Sequence, residues 1–377
     1  MNFEFEEKDL QRQSAWRALA DEELARFAAG IDETGRLPDD LPAVVGEREL
    51  LRPFLPTDLG GEGLGLFQLS VLLEEVGRHS PATALLLAQQ VVLGIRLNGR
   101  AFNFASKAEL AKSAASAKAL FSIAATEREA GCDLGALATA CTKLPDGAFE
   151  VTGGKAYVNW AGRAAYIVVL ARAEDAGENA TSLFAIPRET AGIQIGNPHQ
   201  TMGMNGLEAA PVSFDKVRLA PECLVGAYGF GLDLYDQLMD ELRIAVAAIA
   251  TGLSQQVYDD AAQHAKSRKQ FGKPIGSFQS IQWRFADAAL RIEASRLHVW
   301  RAVEQAGGKG SSFVQTAIAK VFCTEAAFAV ADFAVQAMGS QGYVKPSRVE
   351  RLFRDSRFLK IGHGTSEILR NRIGAKL

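Results

Sequence analysis

Residues 267–279 read SRKQFGKPIGSFQ and lie between two long segments in which apolar residues recur with helical spacing. Glycine and proline interrupt that spacing, so we predict a link from the end of one helix to the start of the next. At such a link, the guanidinium of Arg268 and free backbone N–H groups can contact a phosphate group. Basic clusters are also common on solvated surfaces, so the stretch by itself leaves a plain surface loop open.

The overall composition is that of an ordinary globular protein. The 377 residues include 41 Lys and Arg against 44 Asp and Glu, a net charge of -3, and 48% of them are hydrophobic. This balance lacks the basic stripe that favours nucleic acid, so we expect no nucleic acid partner. The N-terminus does not resemble a signal peptide, and no apolar run reaches the roughly 18 residues of a membrane span. The four cysteines have neither metal nor disulfide spacing, which predicts no metal site and a cytoplasmic location.

The spacing of apolar residues changes twice along the chain and predicts three domains. Residues 1–118 have helical spacing, and Thr83–Ile95 within them is a dense apolar helix. Residues 119–228 contain short β-rich runs between turn signals, which is typical of a small sandwich or barrel. Residues 229–377 are helical again and predict a four-helix bundle. The clearest strand runs are Phe149–Val151, Tyr166–Leu170, Ser182–Ile186 and Val212–Phe214, and the four long helices are predicted near 229–267, 277–306, 313–339 and 347–376.

At residues 268–279 the chain resembles the acyl-CoA dehydrogenase family of flavoproteins, for which R-x-x-F-G-x-x-I-x-x-F-Q is a signature. The resemblance extends over nearly the whole length. Six further segments match family motifs in the same order, namely 60–65 with 73–77, 126–133, 155–162, 203–221, 336–342 with 354–355, and 364–368. The family fold is an N-terminal α-helical domain, a central β-domain and a C-terminal four-helix bundle. That order agrees with the mainly α fold with a central β-domain that the spacing predicts.

The resemblance implies that FAD lies extended between the β-domain and the bundle. Thr126 would contact the pyrimidine edge of the flavin, and Gly131 and Cys132 would lie near the pyrophosphate. The adenine end would reach a neighbouring subunit of a homodimer or homotetramer. Arg268, Gln270 and Phe271 of that neighbour would contact the pyrophosphate and adenosine. The other residues implied for the cofactor site are Tyr157, Asn159, Gln279, Gln336, Gly339, Thr365 and Glu367.

Three of these positions differ from the family pattern. Cys132 replaces a serine, so a weak thiol donor stands where a hydroxyl is usual. Tyr157 replaces the tryptophan that flanks the flavin, and Asn159 replaces a threonine whose hydroxyl approaches flavin N5. FAD binding remains the expectation, because the Arg, Gly, Phe, Gln and Thr positions of the motifs are retained.

For the substrate, the resemblance implies an acyl thioester of CoA or of an acyl carrier protein. Arg243 matches the family arginine near the acyl-CoA groove, and Asp240 matches an aspartate close to the pantetheine. A structural salt bridge between these two helical residues is the alternative. An electron-transfer flavoprotein or another electron acceptor would be a further partner.

The residue expected to act as the catalytic base is absent. The family glutamate that precedes G-T-S-E is replaced by His363. Some relatives carry the glutamate immediately before the motif arginine, but here that position is Leu242. Glu241 lies one residue earlier, about 100° around the helix, so we expect it to point elsewhere. A neutral imidazole can accept a proton, which makes His363 a candidate for the base.

These observations leave three hypotheses open. The first is an FAD-dependent dehydrogenase that introduces an α,β double bond into an acyl thioester, with His363 as base. The second is a flavoprotein of the same fold with different chemistry, since relatives without the glutamate include monooxygenase-like hydroxylases and a desulfinase-type enzyme. The third is a protein that binds FAD or acyl-CoA without catalysis.

Overall fold

The computed structural model describes residues 6–307 and 312–376. The first five residues of the predicted N-terminal domain and the last residue of the predicted bundle lie outside these ranges. The same holds for residues 308–311, which form most of a predicted glycine-rich break between two bundle helices.

The N-terminal part is helical, and one of its helices, α5 (Pro81–Gln89), is buried at every position. It begins at Pro81, and the Ser80 hydroxyl caps it by accepting a hydrogen bond from the backbone N–H of Thr83. It continues as a π-helical segment, Gln90–Leu97, so the predicted helix over Thr83–Ile95 is present but changes its winding. The helices are α1 (Glu7–Leu19), α2 (Ala25–Thr34), α3 (Asp40–Glu47), α4 (Leu66–Gly77), α5 (Pro81–Gln89), α6 (Asn98–Ala101) and α7 (Lys107–Ala115).

Eight strands of the described chain form one connected sheet. They are β1 (Leu120–Ala124), β2 (Ala140–Lys143), β3 (Phe149–Val158), β4 (Ala164–Ala173), β5 (Thr181–Pro187), β6 (Ile193–Ile195), β7 (Ala210–Leu219) and β8 (Leu224–Val225). Their order in the sheet is β6-β7-β3-β2-β4-β5-β8, with β1 paired in parallel to β4. All four runs identified from the sequence are strands, whereas β1, β2, β6 and β8 are additional.

The sheet bends over on itself and packs on the helices with its outer side. Phe149 on β3 and Phe184 on β5 have ring centroids 5.2 Å apart, although these strands are not neighbours in the sheet. Along β4, Ile167 and Val169 belong to the core within the sheet, whereas Val168 joins the core shared with the helices. Alternate residues of this strand are therefore buried on both faces, which explains its continuous apolar sequence.

The C-terminal part contains three long helices followed by a broken fourth one. They are α8 (Gly231–Ser267), α9 (Gln279–Ala306), α10 (Phe313–Met338), the short α11 (Ser340–Tyr343), α12 (Arg348–Leu359) and α13 (Ser366–Gly374), and the link after α8 forms a small hairpin of β9 (Lys269–Gln270) and β10 (Lys273–Pro274). The prediction of one helix over 347–376 was wrong. Residues 360–365 interrupt it, because His363 and Gly364 adopt positive φ values of 59° and 98° that an α-helix excludes.

Close contacts join the three parts near the cavity described below. Arg354 on α12 forms ion pairs with Asp32 of α2 at 2.6 Å and with Glu350 at 2.5 Å. A Cβ on Gly203 would lie 2.5 Å from the carbonyl carbon of Arg354, so the loop before β7 reaches α12 only because this residue has no side chain. In the part of the chain that the structure describes, no helix is both long and apolar enough to cross a bilayer.

Candidate active site

A cavity of about 460 Å³ lies where α5, the β-domain, α8 and the 360–365 loop meet. We call it the inner cavity. It contains eight of the residues selected from the sequence, which are Thr126, Gly131, Cys132, Tyr157, Asn159, Arg243, His363 and Thr365. The first five of these residues belong to the β-domain and the last three to the bundle, so they approach the cavity from opposite sides.

The loop that carries His363 is held in an unusual conformation. His363 has a φ of 59°, in the left-handed region that is uncommon for residues with a side chain. Gly362 before it cannot carry a side chain without a shift, because a Cβ would lie 2.9 Å from the Phe358 ring. Thr365 ends the loop and caps α13 by accepting a hydrogen bond from the backbone N–H of Ile368.

The His363 imidazole is neutral at physiological pH. Burial is the main cause, and the nearby positive charges of Lys320 and Arg243 add to it, so that the pKa of His363 is lowered to about 3. Its Nδ1 is buried and makes no hydrogen bond within the described residues, whereas the side chain itself borders the inner cavity. A neutral imidazole keeps one unprotonated ring nitrogen, and the residue that carries it borders the cavity.

Lys320 on α10 holds this loop through hydrogen bonds to its backbone. Its side chain is 0% exposed, and its ammonium group donates hydrogen bonds to the carbonyl oxygens of Gly364 at 2.6 Å and Lys360 at 3.1 Å. The two bonds connect both ends of the loop to one helix. Burial is the main reason that the pKa of Lys320 is lowered to about 7. No motif in the sequence singles out this lysine.

Arg243 and Asp240 form the salt bridge that was the alternative to substrate binding. The Arg243 guanidinium donates to Asp240 at 2.8 Å and to the carbonyl oxygen of His363 at 3.4 Å. Asp240 also accepts hydrogen bonds from Ser312 and Thr316, each at 2.8 Å. Arg243 lines the inner cavity, but Asp240 does not, so only the arginine is placed to contact a ligand in it.

Glu241 points away from the inner cavity, as its helical position predicts. Its carboxylate accepts hydrogen bonds at 2.7 Å from both Arg96 and Arg100, so it connects α8 to the N-terminal helices. Leu242 is fully buried. Neither position provides a carboxylate to the cavity, and His363 is the candidate base that the loop presents there.

On the β-domain side, the cavity wall is held by hydrogen bonds beneath Thr126, whereas Tyr157 at its rim is exposed. Glu127, the residue after Thr126, accepts hydrogen bonds from Lys155 at 2.7 Å and from the backbone N–H of Thr139 at 2.9 Å. Cys132 Sγ lies 3.8 Å from Thr365 Oγ1, so the two sides of the junction approach each other here. Tyr157 is exposed, and its ring centroid lies 4.9 Å from that of His199.

A second group of residues selected from the sequence lies outside the cavity, on the surface of the bundle. We call it the outer edge, and it consists of Arg268, Gln270, Phe271, Gln279, Gln336 and Gly339, all of which are exposed. Phe271 is 93% exposed. Within the described residues, the Arg268 guanidinium makes no hydrogen bond or ion pair. Glu367, on α13, is also exposed and does not line the inner cavity.

The antiparallel packing of α9 and α10 brings the outer edge together. Phe285 and Phe333 have ring centroids 4.8 Å apart, and Cys323 Sγ lies 3.5 Å from the carbonyl oxygen of Ser295. This register, continued towards one end, places the start of α9 level with the end of α10. The 268–278 link precedes α9 directly, so the motifs of both segments lie at the same end of the bundle.

Several cavity residues were not selected from the sequence. Gln89, Tyr235, Met239 and Arg372 all line the inner cavity. Gln89 had a detectable signal, because it interrupts an otherwise apolar buried helix together with Gln90. The other three lie on α8 and α13, which both pack against α10, and the spacing of apolar residues gives no register for that packing.

The inner cavity suits the flavin end of FAD. Its volume lies within the roughly 300–1,000 Å³ typical of small-molecule sites. Apolar side chains such as Ile123 and Leu134 can face a planar ring, while Thr126 and Asn159 can hydrogen-bond its polar edges. The N-terminus of α13 at Thr365 provides a partial positive charge for an anionic group. Among the residues that the structure describes, no group of three His, Cys, Asp or Glu side chains could hold a metal ion.

Comparisons with known proteins agree with this arrangement. The chain matches the N-terminal, middle and C-terminal domain models of acyl-CoA dehydrogenase over residues 6–118, 122–217 and 229–377. It is 33% identical to the probable acyl-CoA dehydrogenase YngJ of Bacillus subtilis, with 100% of both chains covered. It is 32% identical to the mitochondrial short-chain specific acyl-CoA dehydrogenase of Sus scrofa, covering 96% of this chain and 88% of the relative.

A solved structure shows the same fold over the whole length. Butyryl-CoA dehydrogenase from Megasphaera elsdenii superposes with a TM-score of 0.93 at 26% identity, covering 100% of this chain and 99% of the other. The sequence matches and the shared fold thus include all three parts of the molecule. The chain therefore belongs to the acyl-CoA dehydrogenase family, a family of FAD-dependent oxidoreductases.

Proposed function

We propose that this protein is an FAD-dependent dehydrogenase that forms an α,β double bond in an acyl thioester, with His363 as the base. The observation that carries the proposal is the neutral His363 imidazole on the wall of the inner cavity, opposite the β-domain residues implied for the flavin. The thioester could be carried by CoA or by an acyl carrier protein.

The reaction needs one proton acceptor and one hydride acceptor. When bound, FAD supplies the hydride acceptor for the hydrogen that leaves Cβ. His363 takes the proton from Cα, so both hydrogens are accounted for and the product is the α,β-unsaturated thioester. Arg243 lines the cavity and places positive charge beside the loop, which would stabilise negative charge that develops on the thioester oxygen. The left-handed backbone of His363 sets the direction in which its Cα–Cβ bond leaves the loop.

The same electrostatics support a second candidate function. A base with a pKa of about 3 is weak, and Nδ1 has no acceptor to orient the ring as a triad aspartate does. The second candidate is therefore flavin chemistry that does not need a strong base, such as elimination of a β-substituent or a monooxygenase reaction. Binding of a thioester without turnover is the limiting case.

We also propose that the outer edge serves the FAD bound to a neighbouring subunit. Among residues 6–307 and 312–376, the Arg268 guanidinium has no hydrogen-bond or ion-pair partner, and the Phe271 side chain is almost wholly exposed. Both features are expected of groups that contact a ligand held by another copy of the chain. We further propose that the protein is a homodimer or homotetramer in the cytoplasm. An electron-transfer flavoprotein would be its electron acceptor.

The test is anaerobic mixing of the FAD-loaded protein with a panel of acyl-CoAs and acyl carrier protein thioesters. Under the first function, a suitable thioester bleaches the oxidised flavin absorbance, and the enoyl product appears in equal amount. Under the second, the flavin stays oxidised while a β-substituted thioester is consumed, or reduced flavin reacts with O₂ and substrate.

Two controls decide what a negative result means. His363→Ala should retain FAD and lose bleaching, whereas Glu241→Gln, which alters a carboxylate outside the cavity, should keep it. Bleaching that survives His363→Ala would remove His363 from its assigned role. A purified protein that takes up no FAD would overturn the cofactor assignment itself.

A further inference from the structure

One polar side chain on the wall of the inner cavity has no role in the fold. Gln89 ends α5, is 0% exposed and lines the cavity. Neither its Oε1 nor its Nε2 makes a hydrogen bond within the described residues. Because both atoms lack a partner, exchanging the assignment of oxygen and nitrogen would not change this conclusion. A buried amide without partners costs stability, so it points to a ligand that supplies them.

The neighbouring glutamine shows what a structural role looks like at the same depth. Gln90 is also 0% exposed. Its Oε1 accepts a hydrogen bond from the backbone N–H of Phe121 at 2.8 Å, and its Nε2 donates to the carbonyl oxygens of Phe121 and Leu86, each at 3.4 Å. Gln90 therefore anchors the helix to β1, while Gln89, about 100° around the helix, faces a different side.

We infer that Gln89 selects acyl chains that carry an uncharged hydrogen-bonding group, either a hydroxyl or a carboxamide, beyond Cβ. An amide offers one donor group and one acceptor, and both of these chemical groups can accept and donate in return. An alkyl chain satisfies neither atom. The inference rests on the proposed function, because it assigns the acyl group to this same cavity.

A carboxylate is a poorer match for this site. It can only accept hydrogen bonds, which would leave the Gln89 oxygen unsatisfied. It would also need a positive charge, but the two arginines on the cavity wall are already paired. Arg243 is bonded to Asp240 at 2.8 Å, and Arg372 is bonded to Asp236 at 2.8 Å. The chemistry of the wall thus favours a neutral polar group.

The test compares pairs of ligands that differ only by a hydroxyl in place of a methyl group. Non-reactive CoA thioethers are suitable, namely S-(4-hydroxybutyl)-, S-(5-hydroxypentyl)- and S-(6-hydroxyhexyl)-CoA with their S-pentyl, S-hexyl and S-heptyl counterparts. Dissociation constants are measured by calorimetry on the FAD-loaded protein. We expect the hydroxyl member to bind at least about tenfold more tightly at one chain length, because it satisfies the amide.

Two variants separate recognition from folding. Gln89→Met keeps the length of the side chain and removes the unpaired amide, so it should abolish the hydroxyl preference and raise the melting temperature of the ligand-free protein. Gln90→Met should lower the melting temperature and keep the preference. Because Gln89→Met removes an amide that has no hydrogen-bond partner among the described residues, it is not expected to unfold the protein.

The possible outcomes are distinct. Equal or tighter binding of the alkyl member at every length, or a preference that persists in Gln89→Met, would overturn the inference. Loss of FAD from Gln89→Met with an unchanged preference would do so as well, since the cofactor would then be the partner of the amide. A clear hydroxyl preference in a protein that never reduces its flavin would instead support the inference and refute the dehydrogenase function.

Discussion

The inner cavity and the outer edge carry residues of one implied cofactor site, yet they differ in exposure to solvent and in the hydrogen bonds that orient their side chains. The cavity is enclosed by its own chain, and its groups are oriented by hydrogen bonds such as those from Lys320 to the His363 loop. The outer edge is exposed, and its Arg268 guanidinium has no hydrogen-bond or ion-pair partner in the part of the chain that the structure describes. The cavity is thus complete enough to hold a reacting group, whereas the outer edge has a function only if something else docks there.

The largest effect is expected from a substitution in the inner cavity that leaves the outer edge unchanged. His363→Ala removes the proposed proton acceptor without altering the groups that contact FAD. We expect the rate of flavin reduction to fall by about 10²–10⁴-fold, the usual contribution of a general base. Stopped-flow absorbance measures the rate, and the flavin content of the purified variant should be unchanged. Equal rates in the two proteins would contradict the role of His363.

The next largest effect is expected from a substitution in the outer edge that leaves the inner cavity unchanged. Arg268→Ala removes a charge-assisted contact, and we expect FAD affinity to fall by about 10–100-fold. Flavin fluorescence on dilution measures the release of FAD. Arg291→Ala, an exposed arginine further along α9, is the matched control and should retain the cofactor. Unchanged affinity in Arg268→Ala would assign the outer edge to another function.

A third change weakens the junction that encloses the cavity. Gly203→Ala would place a Cβ 2.5 Å from the Arg354 carbonyl carbon, so the loop or α12 must shift. We expect a loss of about 1–3 kcal/mol in the free energy of unfolding, as for other overpacked sites. Gly162→Ala, where a Cβ meets nothing within 4 Å, should cost less. Chemical denaturation measures both variants, and equal free energies of unfolding would contradict the close contact between Gly203 and the Arg354 backbone.

A pH titration sharpens the description of the cavity. Because the pKa of His363 is lowered to about 3, the imidazole stays neutral down to mildly acidic pH. The rate of flavin reduction should therefore be constant between about pH 5 and 6.5, without the loss near pH 6.5 that an ordinary histidine would give. The unfolded chain binds a proton there that the folded chain does not, so His363 also lowers stability as the pH falls. A rate that halves near pH 6.5 would show a solvated ring.

The smallest effect concerns the point where both sides of the cavity meet. Cys132→Ser replaces a weak thiol donor with a hydroxyl next to Thr365. We expect FAD affinity to rise by less than about threefold, because one neutral hydrogen bond contributes little net free energy. Equilibrium dialysis of FAD measures the change. A large loss would show that the thiol has a specific role.

The sequence was informative where function depends on a contiguous motif, and less so where it depends on packing. The 268–279 motif could be read directly, since its residues are neighbours in the chain. The direction of Glu241 followed from helical geometry alone. The break at 360–365 was missed, although two glycines flank His363, because a left-handed histidine has no distinct sequence signature.

Other features depend on contacts that a single sequence does not contain. Tyr235 and Arg372 reach the cavity because α8 and α13 both pack against α10, and the register of that packing is set by shape complementarity rather than by hydropathy. Strand β1 was missed because it is short and buried on both faces, so it lacks the alternation that marks a strand. Lys320 is selected only by its position beneath the loop.

The central claim is that one catalytic site combines the inner cavity of one subunit with the outer edge of another. Co-expression of His363→Ala and Arg268→Ala chains, carrying different affinity tags, tests it directly. In a mixed oligomer, one site joins the intact cavity of the Arg268→Ala chain to the intact outer edge of the His363→Ala chain. We predict that tandem-purified mixed oligomers retain FAD and regain rapid thioester-dependent flavin bleaching, whereas His363→Ala alone bleaches slowly and Arg268→Ala alone loses FAD on dilution. Mixed oligomers that remain inactive would contradict the account.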